Sequence, residues 1–203
     1  LLHHTGESLV TLRKDKRGLP RSTGLLTGLS SPSGDLWRYL VDGQEIITSS
    51  PWGATKVAMP KGTSAVDTAT AGVNLFGKRP AGVVLGRRGE VWRLEWPEEP
   101  LGKRRPLPPP SQPELALVPG MDIGKVDMSA IATNGIGDLL AVGRGGAMLR
   151  LMGHSVQKAK SPTKADLWAV AGDPLGQLFV AAGAGGVVAM GTTRNMRIVH
   201  TGG

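Results

Sequence analysis

Apolar residues in this chain fall in short runs separated by glycine-rich turns, and three such units read almost alike. They are Val84-Leu85-Gly86-Arg87-Arg88-Gly89-Glu90-Val91-Trp92-Arg93-Leu94, Ala141-Val142-Gly143-Arg144-Gly145-Gly146-Ala147-Met148-Leu149-Arg150-Leu151 and Ala181-Ala182-Gly183-Ala184-Gly185-Gly186-Val187-Val188-Ala189-Met190. Each reads as a β-hairpin, because glycine takes the positive φ angles of a tight turn without strain. One hairpin recurring every ~40 to 57 residues is the mark of a repeat architecture. The expected fold is all-β, a β-propeller or partial propeller of about four to five four-stranded blades.

The clearest copy lies at the C-terminal end. Asp166 to Ala171, Gln177 to Ala182, Val187 to Met190 and Met196 to His200 are its expected strands, with the Asp173-Pro174-Leu175-Gly176 turn after the first. The preceding copy runs Met128 to Ala132, Asp138 to Val142, Ala147 to Met152, then a fourth strand around Ser155 to Ala159. An earlier one runs Ala69 to Leu75, Ala81 to Leu85 and Glu90 to Glu95. The first full copy is the most diverged, with Gly24 to Leu29, Asp35 to Val41 and Glu45 to Ser49. Val83 to Leu85, Leu139 to Val142 and Leu178 to Ala181 are expected as equivalent second strands facing neighbouring blades, since they are apolar on both faces.

Three regions depart from the period. Leu1 to Leu12 reads as the outer half of a blade, so about four and a half blades are expected. Either the arc is open, or further residues or another chain complete the ring. An uncovered strand edge is hazardous, so the N-terminal strands are expected to pair with the last blade or another polypeptide. Trp52 to Val66 is an insertion without a placeable pattern. Pro97 to Pro119 holds Lys103-Arg104-Arg105-Pro106-Leu107-Pro108-Pro109-Pro110 and is expected to be polyproline II or loop rather than strand, leaving the disc to contact a partner. Residues 1–203 are otherwise expected to form a single propeller-like domain.

The hairpins resemble the repeats of photosystem II stability and assembly factors and of sialidase-type repeat proteins. Leu167-Trp168-Ala169-Val170 followed by Gly183-Ala184-Gly185-Gly186-Val187-Val188 carries the resemblance, with Gly143-Arg144-Gly145-Gly146-Ala147-Met148-Leu149 matching the hairpin part. The trailing aspartate-glycine-glycine and second tryptophan of that pattern are missing here. The resemblance implies a propeller, and propellers host unrelated functions.

With an aromatic content of only 4%, the core must be built from Val, Leu, Ile, Ala and Met. Trp168 is the exception and is expected to be largely buried, at a cost of about 3–5 kcal/mol on replacement by Ala. The chain has no cysteine, which removes disulfides, thiolate metal sites and cysteine nucleophiles. No apolar run approaches a membrane span. The chain opens at Leu1 with no initiator methionine and no signal or transit segment, as a processed form or a piece of a longer protein would. Nothing in it specifies a compartment.

Candidate chemistry is thin. His3 and His4 are adjacent, so on a strand they point to opposite faces, and with His154 and His200 they make no converging metal set. Glu95, Glu98 and Glu99 sit beside a basic segment and read as a solvated loop rather than a glycosidase pair. Asp35 and Asp138 occupy one repeat position and read as turn residues bonding to backbone. Tyr39, the only tyrosine, is too little for a sialidase-type nucleophile, and no phosphate-binding Gly-x-x-x-x-Gly-Lys-Ser/Thr motif occurs. No catalytic residue, cofactor or metal is assigned.

Net charge is +8. The basic residues cluster as Arg13, Lys14, Lys16 and Arg17; Lys78 and Arg79; Arg87 and Arg88; and Lys103, Arg104 and Arg105. Arg87 and Arg144 fall at the same hairpin tip and are expected to line one rim. Few aromatics flank these clusters, so an acidic protein surface suits them better than RNA. The expectation is a non-enzymatic interaction module or accessory subunit of a larger assembly. An RNA-contacting subunit of a ribonucleoprotein is the second reading, and a glycan-acting hydrolase the third.

Overall fold

The computed structural model describes residues 2–5, 8–14, 20–30, 36–42, 45–50, 53–71, 81–95, 114–120, 126–134, 137–152, 155–173 and 175–202. They form four antiparallel sheets. The first holds β1 (Leu2–Thr5), β2 (Ser8–Lys14), β3 (Pro20–Ser30), β4 (Leu36–Asp42), β5 (Glu45–Ser50) and β6 (Gly53–Ala58), in that order. The second holds β7 (Ala65–Ala71), β8 (Ala81–Gly86), β9 (Val91–Glu95) and β10 (Glu114–Leu117). The third holds β11 (Met128–Thr133), β12 (Leu139–Gly143), β13 (Met148–Met152) and β14 (Ser155–Lys158). The fourth holds β15 (Leu167–Gly172), β16 (Phe179–Gly183), β17 (Val188–Gly191) and β18 (Met196–His200). Each of the last three is a four-stranded meander, the blade of a β-propeller.

The register repeats from blade to blade. Val84 pairs with Trp92, Ala141 with Leu149 and Ala181 with Ala189, and in the first sheet Leu40 pairs with Ile47 at the same place. The first strands of the second, third and fourth sheets also carry a bulge near their start, between Ala65 and Asp67, Met128 and Ala130, and Leu167 and Ala169. The expected second strands are therefore equivalent, although Leu178 precedes β16.

Packing follows from the pleat, which sends alternate residues to opposite faces. Ala69, Val83, Leu85 and Val91 of the second sheet share one buried cluster with Leu139, Ala141, Leu149, Leu151 and Val156 of the third. Leu140, Val142 and Met148, on the third sheet's other face, share the next with Phe179, Ala181, Ala189 and Met196 of the fourth. Ile46 joins Met59, Ala65 and Val84 between the first and second sheets. Sheet thus lies on sheet in chain order.

The Gly-x-Gly-Gly hairpins have two separate physical causes. Gly143 and Gly183 are extended, but a Cβ on either would collide with the Asp127 or Asp166 carbonyl where the blade's first strand begins. The last two glycines of each motif sit at left-handed φ: 62° and 73° at Gly145 and Gly146, 65° and 66° at Gly185 and Gly186. Gly145→Ala meets no neighbour within 4 Å and should cost only the left-handed backbone penalty, about 1 kcal/mol. Gly143→Ala should cost about 2 kcal/mol, because backbone on both sides must move. Urea titration of the two variants measures the difference.

Several expectations need correction. Leu2–Thr5 and Ser8–Lys14 do not pair with the last blade: β2 pairs with β3, so the N-terminal strands extend the first sheet. Trp52 to Val66 is not a patternless insertion, since it contains β6, paired with β5, and the start of β7. The Pro-rich segment does contribute a strand: β10 pairs with β9 from Glu114↔Glu95 to Leu117↔Trp92. β7 begins at Ala65, ahead of the expected Ala69. Trp168, the bulged residue of β15, is 62% exposed rather than buried, whereas the equivalent Val66 of the second sheet packs against a buried cluster.

Candidate functional site

The hairpin tips of the second, third and fourth blades are built by one repeated bond. The amide N–H of Arg87 donates to the Ser64 carbonyl (3.0 Å), that of Arg144 to Asp127 (2.8 Å) and that of Ala184 to Asp166 (2.8 Å). The residue opening each tip is thereby held beside the entry to that blade's first strand. Successive blades are then tied together: Met128 N–H donates to the Arg87 carbonyl (2.9 Å), and Gly145 N–H to Asp166 Oδ1 (2.7 Å).

On this rim the expected Arg87 and Arg144 come together around a shared carboxylate. Arg87 Nη1 lies 3.7 Å from Asp127 Oδ1, and Arg144 Nη1 lies 3.6 Å from Asp127 Oδ2. Arg144 Nε is also 3.7 Å from Asp166 Oδ2. The rim is therefore an alternating row, Arg87, Asp127, Arg144, Asp166. Both guanidiniums are well exposed, so these pairs add little stability. Arg88 is exposed beside them, its amide N–H donating to Glu90 Oε2 (3.0 Å). The row stops at the fourth blade, where Ala184 takes the arginine position.

The sequence reading missed Asp127 and Asp166. Their signal is positional: each immediately precedes an apolar first strand, Asp127-Met128 and Asp166-Leu167. Asp138 is a turn residue as expected, but the described bond runs the other way. Its amide N–H donates to Asn134 Oδ1 (2.8 Å). Asp35 lies outside the described residues.

Arg13 and Lys14 are positions of β2, paired with Arg21 and Pro20. Lys16, Arg17, Lys78, Arg79, Lys103, Arg104 and Arg105 lie outside the described residues, as do His154, Glu98 and Glu99. The chain leaves β9 at Glu95 and re-enters β10 at Glu114, at the end of the blade opposite the Arg87 tip. His3 and His4 are adjacent positions of β1, Tyr39 belongs to β4, Glu95 ends β9, and His200 ends β18, exposed. Among the described residues no three His, Cys, Asp or Glu side chains gather as a metal site. No described helix is long and apolar enough to cross a membrane.

Asp67 links the second and third blades away from this rim. Asp67 Oδ2 accepts the Ile131 N–H of the third blade (2.9 Å), and its Oδ1 accepts the Thr68 N–H (2.8 Å). Burial raises its pKa from 3.8 to about 6, against the opposing pull of those two amide donors.

Four stacked antiparallel sheets, with meander blades and repeating register, define a β-propeller arc. No family model matches the chain, and no curated protein matches its sequence. Solved structures do match. Virginiamycin B lyase from Staphylococcus aureus aligns with 95% of this chain and 62% of its own, with a TM-score of 0.60 and 14% identity. The β-propeller domain of Myceliophteria thermophila Cps50 (Swd1) aligns with 98% of this chain and 72% of its own (TM-score 0.58, 10% identity). A putative 6-phosphogluconolactonase from Bacteroides uniformis aligns with 95% and 64% (TM-score 0.52, 10% identity). The chain thus spans less than two thirds of the length of the first and third of these. Similarity at this level establishes the fold, which the three share under very different names.

Proposed function

We propose that the chain is a non-enzymatic interaction module, an accessory subunit that docks on an acidic protein surface through the rim built by Arg87, Arg88 and Arg144. The alternating row of arginine and aspartate carries this reading. Asp127 and Asp166 lie 3.6 to 3.7 Å from guanidiniums that stay exposed, which leaves N–H groups open to forked contacts with a partner's carboxylates. The same carboxylates reduce the local positive field, which disfavours a polyanion held by counterion release. The hairpin resemblance to assembly-factor repeats is compatible with such an accessory role.

The test is a titration of the chain with an Asp/Glu-rich peptide and with a single-stranded RNA, each across a series of salt concentrations. Peptide binding is expected, weakened about tenfold by the double substitution Arg87→Glu/Arg144→Glu. RNA bound more tightly than peptide, with a steep salt slope, would put the ribonucleoprotein reading first. Turnover of a glycan panel would reinstate the hydrolase.

A further inference from the structure

The two carboxylates of the rim are not equivalent. Asp166 accepts the Gly145 N–H on Oδ1 (2.7 Å). Asp127 instead stands between two guanidiniums, with Arg87 Nη1 at 3.7 Å from one oxygen and Arg144 Nη1 at 3.6 Å from the other. Both distances exceed a hydrogen bond, so the lone pairs of this carboxylate stay open to a closer donor. The Asp127 side chain is 42% exposed, enough for such a donor to arrive from solvent. Arg87, Asp127 and Arg144 lie where the second blade meets the third, with a further sheet on either side.

A run of like charge would suit a uniformly acidic or basic partner. This row alternates instead, so an all-acidic segment laid along it meets repulsion at every second position. We propose that the segment docking on this rim is mixed in charge, with one Lys or Arg seated on Asp127 between two carboxylates on Arg87 and Arg144. The inference rests on the docking function proposed above and adds the pattern that the partner must carry. An extended segment supplies it as Glu-x-Lys-x-Glu, since alternate residues of a strand share one face at a spacing of about 7 Å.

Peptides repeating Glu-Ser-Lys-Ser, Glu-Lys-Ser-Ser and Glu-Ser-Glu-Ser, titrated against the chain at low salt, separate pattern from net charge. The first puts acid and base on one face, whereas the second has the same composition with the two on opposite faces. The first should bind about threefold more tightly than the second, the scale of one exposed ion pair. Asp127→Asn should weaken the first about threefold and tighten the all-acidic third by a similar factor. The variant keeps the backbone carbonyl that accepts the Arg144 N–H (2.8 Å), so its melting curve should match that of wild type. Equal binding of the first two peptides overturns the proposal. So does an Asp127→Asn variant that binds the first peptide as well as wild type or better. In either case, loss of the third peptide on Arg87→Glu/Arg144→Glu leaves the docking function standing. No binding by any of the three overturns both. A dimer of the chain itself that the two arginine substitutions dissolve also overturns the proposal, because an alternating row turned antiparallel is its own complement.

Discussion

Phe179→Ala should destabilise the chain by about 4 kcal/mol, the upper part of the range for deleting a buried aromatic. Phe179 is 0% exposed in the cluster between the third and fourth blades. Its cross-strand neighbours explain the size of the effect: it pairs with Gly172 on one side and Gly191 on the other. Neither has a side chain to relax into the vacated space. Gly172 cannot be enlarged, because a Cβ there would meet the Thr133 carbonyl of the third blade. Phe179→Leu should cost less, about 1–2 kcal/mol, since it keeps most of the buried apolar volume. Denaturant unfolding of the two variants checks both the magnitude and the order. Equal losses would mean that the ring does not fill this junction.

The parts of this fold legible in the sequence are those where burial is greatest. β12 is buried at every position, and its Leu139-Leu140-Ala141-Val142 run could be read directly as a second strand facing blades on both sides. Outer strands are legible only when something else marks them. β10 is half-buried at its two central positions and exposed at both ends, β18 is exposed at all but its first residue, and an outer strand pairs on one side only. β18 was found because it follows a clear hairpin, whereas β10, beyond a run of prolines, and β6 were passed over. Trp168 misled for a related reason. An aromatic on a strand reads as core, but Trp168 falls at the register shift between Leu167 and Ala169 and stands exposed. In the candidate site, the arginines at the tips were visible because the hairpins align. Asp127 and Asp166 belong to the entries of first strands, and their proximity to the arginines depends on how blades stack, which no local pattern encodes.

The stability of the chain should fall as pH rises through about 6, and Asp67 should be the cause. The copies carry Ala130 and Ala169 where the second blade has Asp67, so a carboxyl group stands in an otherwise apolar inter-blade position. Burial disfavours its charged form and raises its pKa from 3.8 to about 6, although Ile131 and Thr68 donate to it. The sign follows from proton uptake. Between pH 4 and 6 the folded chain holds this proton and the unfolded chain has released it, so folding is favoured by acid. The contribution is fully present below the unfolded value near 3.8 and is lost as pH passes the folded value near 6, amounting to about 3 kcal/mol. Asp67→Asn removes that dependence but offers one oxygen to two amide donors, a loss of about 1 kcal/mol. The variant should therefore be the less stable protein near pH 4 and the more stable one at pH 7.5, by about 2 kcal/mol. Unfolding free energies of both proteins measured from pH 4 to pH 8 should cross once. Parallel curves would mean that Asp67 titrates at its ordinary value and that the inter-blade junction there is open to water.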